Sequence, residues 1–102
     1  MEQANLRQWR QGDVLFEPHA GALSGEPRAG AVLYQGEATG HAHRVSGEGV
    51  EVRETSWSLF LDAPAGAVVE HEEHGPISLP PGKYRVWRQR EYTEQGFRDV
   101  RD

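Results

Sequence analysis

Two pairs of histidines are the residues in this chain best able to do chemistry. Gly40-His41-Ala42-His43 places two imidazoles two residues apart, and Glu70-His71-Glu72-Glu73-His74 supplies two more. Strand side chains alternate faces, so His41 and His43 project the same way with Cα atoms roughly 6–7 Å apart. Nitrogens so placed can reach one metal ion at about 2.0–2.1 Å each. A spacing of three would align His71 and His74 on a helix. The segment, however, runs from valines into Gly75-Pro76 and reads as a strand entering a turn. One of the two then joins the first pair, His71 ahead of His74, unless the turn swings His74 round. The expected cofactor is one divalent transition metal, and imidazole accepts zinc, iron, manganese, nickel and copper alike. Glu48 and Glu73 are the carboxylates expected within reach, as further ligands or as a general base. Binding requires neutral imidazole and weakens below about pH 6.5, where an ordinary histidine takes up a proton. His19, beside Pro18, reads as a solvated loop residue.

Several chemistries are excluded. The 102 residues contain no cysteine, which removes disulfides, thiolate zinc sites, iron–sulfur clusters and a thiol nucleophile. No glycine-rich phosphate loop precedes a helix, and no Gly-x-Ser-x-Gly elbow occurs. The longest uncharged apolar run, residues 63–69, is interrupted by Pro64 and Gly66, so no membrane span is expected. The N-terminus lacks the apolar core of a secretory signal, and a cytoplasmic location is expected. A net charge of −5 argues against nucleic acid, whose non-specific binding rests on phosphate neutralisation. A basic strip near the C-terminus, Arg85, Arg88 and Arg90 beside Trp87 and Tyr92, is the exception. It reads as a charged edge strand, with anion or RNA binding as the alternative.

The elements that must position the histidines are strands. Twelve glycines and six prolines cut the chain about every ten residues, and short period-two runs lie between them. Leu6 and Trp9 could share a helical turn. Strands are expected from Gly12-Asp13 to Phe16, over residues 31–35, through His41–Val45, at Val50–Arg53, at Trp57–Leu61, over residues 67–72, at Ile77–Leu79 and from Tyr84 through Arg88 to Arg90. Residues 19–30 read as a loop, and Pro80-Pro81-Gly82 as a type II turn. The chain is expected to be one all-β domain over 1–102, a small antiparallel barrel or sandwich with a polar tail frayed from about residue 93. Arg88 and Arg90 alternate in phase with Tyr84 and Val86, so they continue the inward row and could steer an anionic substrate toward the metal. The apolar faces are expected to close a core without the histidines, so replacing His41 and His43 together should shift melting by only a few degrees.

Two resemblances rest on these residues. Gly40-His41-x-His43, with Glu48 five residues on, resembles the first motif of the cupins, and Leu79-Pro80-Pro81-Gly82-Lys83-Tyr84 is similar to the proline–glycine turn of their second. The cupin likeness implies a jelly-roll barrel around a metal, although here His71 and His74 precede that turn and no histidine follows it. The longer likeness joins Thr39-Gly40-His41-Ala42-His43-Arg44, His71-Glu72-Glu73-His74-Gly75-Pro76-Ile77, Leu79–Val86 and Arg88-Gln89-Arg90-Glu91-Tyr92. In these the chain resembles a group of small bacterial and phage proteins with no established activity, which implies that the histidines belong together.

The leading functional expectation is a metal-binding β protein with a histidine-rich site. A metal-dependent hydrolase, isomerase or oxygenase acting on a small anionic substrate is the alternative. A metal-free accessory or RNA-binding module is the third. The expected partner is a small anionic ligand, and a dimer is compatible with the sequence.

Overall fold

The structure is a computed structural model that describes residues 8–36, 40–56, 58–93 and 96–99, with side chains through residue 89. The expected positions of Leu6, Trp57 and the side chains of Arg90 and Tyr92 lie outside the described residues. Twelve strands and no helix occur among the described residues: β1 (Trp9–Gln11), β2 (Val14–Pro18), β3 (Glu26–Arg28), β4 (Val32–Gln35), β5 (Ala42–Ser46), β6 (Glu51–Glu54), β7 (Leu59–Ala63), β8 (Ala67–Glu70), β9 (Ile77–Leu79), β10 (Gly82–Arg88), β11 (Arg90–Thr93) and β12 (Gly96–Asp99). All pairings are antiparallel. One sheet runs β1-β2-β10-β7-β6-β3, the second β4-β5-β8-β9, and β11-β12 form a separate hairpin. The expectation of an all-β antiparallel barrel or sandwich is met.

Period-two alternation explains the core. Phe16, Leu61, Tyr84 and Val86 of the first sheet meet Leu33, Val45, Val69 and Leu79 of the second in one cluster. Fully burying side chains of this size is worth roughly 1.5–3 kcal/mol each. On β10 the inward row continues past Val86: Arg88 lies opposite Val14, whose side chain is fully buried. Gln89 then breaks the strand, its amide donating to the carbonyl of Asp13.

Three local expectations are corrected. Trp9 is in a strand rather than a helical turn, because residues 9–11 pair with Phe16, Leu15 and Val14. The 19–30 loop contains β3, an edge strand held by β6. Gly82 opens β10 opposite Ala63, and its φ of 157° is far from the value near +80° that a type II turn requires.

The turn between β1 and β2 sets the position of two polar side chains. Gln11 and Val14 face each other across the two-residue loop Gly12-Asp13, and Gly12 has φ 61°. Glycine at the first central position is what a type II′ hairpin needs, because that position requires positive φ. This tight hairpin puts Gln11 and Asp13 at one tip, facing β5.

Candidate metal centre

The two histidine pairs converge. His43 lies on β5 in phase with Val45 and is fully buried. His71 and His74 lie in the connection between β8 and β9, which β5 flanks through the Arg44–Glu70 pairing. The His43 and His71 ring centroids are 4.3 Å apart, and those of His71 and His74 are 4.7 Å apart. His74 stacks 6.4 Å from His43 with ring planes 11° apart. His41 stands edge-on to His71 at 5.7 Å. Four imidazoles from segments about thirty residues apart in the chain therefore form one group.

Hydrogen bonds assign protons within it. The amide nitrogen of Gln11 donates to the carbonyls of Val69 and Gly75, at 2.9 Å each. Both amide hydrogens are thereby used, which turns Oε1 toward His43 Nδ1, 2.9 Å away. Since an amide oxygen only accepts, His43 Nδ1 carries the proton and Nε2 keeps a lone pair. At His41, Glu73 Oε2 lies 3.4 Å from Nδ1, an ion-pair distance outside hydrogen-bond geometry that assigns no tautomer. His71 is different. Its Nδ1 accepts from the backbone N–H of Glu73 (3.0 Å) and of His74 (3.3 Å). A neutral His71 therefore carries its proton on Nε2 and caps the turn. His74 Nε2 is buried with no hydrogen-bond partner among the described residues.

By distance alone, His41, His71 and Glu72 offer ligand atoms all within 4.8 Å of one another. Glu72 already has structural duties. Its Oε1 accepts from the Ala42 N–H at 2.9 Å and its Oε2 from Arg44 at 2.7 Å. The Ala42 amide, and then Arg44, hold its carboxyl well below the usual range, at about 2. A depressed carboxylate pKa adds stability above the unfolded value and loses it as pH falls through the folded one. The thermal midpoint of wild type is therefore expected to exceed that of Glu72→Gln at neutral pH. The difference shrinks between about pH 4.5 and about pH 2 and vanishes below. A constant difference across that range would mean that the charge of Glu72 does nothing for the fold.

The remaining sequence-predicted residues divide. Glu73 is the carboxylate beside His41. Glu48 sits in the turn after β5, at the opposite end of that strand from His41. The five extended residues of β5 between them span roughly 16 Å, so Glu48 is not brought into the group. Arg88 does face inward, but its guanidinium Nε lies 3.2 Å from Asp13 Oδ2, with side-chain exposures of 8% and 2%. It is also 5.0 Å above the Tyr34 ring. A buried ion pair thus occupies the arginine expected to steer an anion. Arg85 stays on the outer face, 4.5 Å over Trp87. His19 packs on Phe60 at 5.0 Å, away from the other histidines in the fold.

The residues that sequence reasoning missed are Gln11 and Asp13. Both are buried polar groups, and Asp13 Oδ1 lies 3.7 Å from His43 Nε2. The signal for them was the Gln11-Gly12-Asp13 string itself: a glycine-centred hairpin turn flanked by two polar side chains next to apolar strands.

No curated protein and no solved structure matches the chain. Residues 10–89 match a protein-family description, a span that runs from β1 to just past β10 and contains all four clustered histidines. The chain belongs to the family described as Domain of unknown function (DUF8820).

Proposed function

We propose that this is a metal-binding β protein whose imidazole group, drawn from His41, His43, His71 and His74, takes one divalent transition metal. The observation that carries the reading is the convergence of the imidazoles around His43, whose tautomer Gln11 fixes. Gln11 sits on the Nδ1 of His43, which leaves its Nε2 able to donate, as in metal sites where an outer partner fixes the ring. His41 is half-buried, which gives an ion a route in from solvent.

Three neutral imidazoles leave the charge of the ion uncompensated, so an anion is the expected fourth partner. Native mass spectrometry of untagged protein with equimolar zinc, nickel, manganese or iron(II) tests the reading. One ion per chain is expected for wild type, and a large loss of occupancy for His41→Ala. A wild-type chain that stays metal-free with all four ions overturns it.

A further inference from the structure

We infer that Asp13 is the carboxylate ligand of this metal, binding through Oδ1 beside His43 Nε2; the inference rests on the metal-binding reading above. His43 is gripped by the two ends of one hairpin turn. Gln11 holds Nδ1 at 2.9 Å, and Asp13 Oδ1 stands 3.7 Å from Nε2. With the proton on Nδ1, the facing atoms are a nitrogen lone pair and a carboxylate oxygen, which attract each other only through a cation. A shared proton would draw them to about 2.7–2.9 Å, the range of charge-assisted hydrogen bonds. Two ligands of one ion, each about 2.1 Å away at an angle between tetrahedral and trigonal, stand roughly 3.4–3.6 Å apart. The observed 3.7 Å is closer to the spacing of two ligands than to that of a hydrogen bond.

Arg88 makes this arrangement directional. Its Nε engages Oδ2 at 3.2 Å, so Oδ1 is the oxygen turned to the imidazole. Arg88 already offsets the charge of this carboxylate, so an ion here still favours an anion from solution as a further partner. A mixed nitrogen–oxygen donor set suits zinc, iron(II) or manganese better than copper(I), which prefers sulfur. The tight turn at Gly12 supplies both the ligand and the group that orients its neighbour.

Zinc is the probe. Isothermal titration of the full chain compares wild type with Asp13→Asn, whose fold is checked by circular dichroism, and a zinc-soaked wild-type crystal gives the coordination directly. We expect zinc within about 2.0–2.2 Å of Asp13 Oδ1. For the folded Asp13→Asn variant we expect binding weakened about hundredfold or more, at or beyond the upper end of what losing an outer-shell partner does. If the variant does not fold, the wild-type crystal decides alone. Zinc held by imidazoles with Asp13 outside bonding distance, or undiminished binding by Asp13→Asn, overturns the assignment of Asp13 and leaves the imidazole reading intact. No zinc bound by wild type overturns both.

Discussion

His43→Ala is expected to lower the thermal midpoint of the metal-free protein by about 12–24 °C, whereas His41→Ala moves it by no more than a few degrees. His43 is fully buried between the sheets, and its loss has two costs. A cavity replaces a ring in the interior, and the Gln11 oxygen loses the donor it faces. Together these come to about 3 kcal/mol for a site that relaxes only partly. In a domain of this size each kcal/mol shifts the midpoint by about 4–8 °C. His41 is half-buried at the edge of the group, and truncating it opens no interior cavity. This corrects the expectation that the core closes without the histidines: His43 is part of the core, while His41 is not. Equal small shifts in both variants, by differential scanning calorimetry, would show that the buried ring contributes nothing to the core.

Arg88→Met is expected to be comparably damaging, and the double variant Asp13→Asn/Arg88→Met much less so. The pair is almost fully enclosed. Removing one partner of a buried ion pair leaves a charge with no compensation and typically costs about 3–5 kcal/mol. Removing both charges takes away the attraction and the desolvation cost together, so most of the loss is recovered. Midpoints of the two single variants and the double variant, measured by calorimetry without metal, give the coupling. Additive losses in that cycle would mean that Asp13 and Arg88 act independently despite their 3.2 Å contact.

Some of this arrangement could be read directly from the chain. Gly82–Arg88 alternates apolar and polar residues, which makes it a strand and chooses its inward face, whereas Val14–Pro18 and Leu59–Ala63 are short apolar runs bounded by turn signals, legible as strands but buried on both faces over their first three residues. The same alternation places Arg88 inward. The weaker strands carry no such pattern. Glu26-Pro27-Arg28 lacks any alternation of apolar and polar residues, and it is a strand only because β6 offers it an edge. Trp9–Gln11 is too short to show a period and is defined by its pairing with β2.

The sequence by itself determined the all-β class, most of the strand positions and the identity of the four imidazoles, because each of these is written in residue type and short-range spacing. Only the tertiary structure decided which partners those imidazoles meet. Gln11 and His43 are 32 residues apart, and Gln11 reaches Val69 across 58. Such contacts depend on how β1, β5 and β8 stack, and no local period encodes that. The same packing placed Glu48 at the far end of β5 and neutralised Arg88 with Asp13. It also engaged the Nδ1 of His71 in its own turn. A histidine's type says that it can bind a metal; whether its nitrogen is available is set by the hydrogen bonds that the folded chain imposes on the ring.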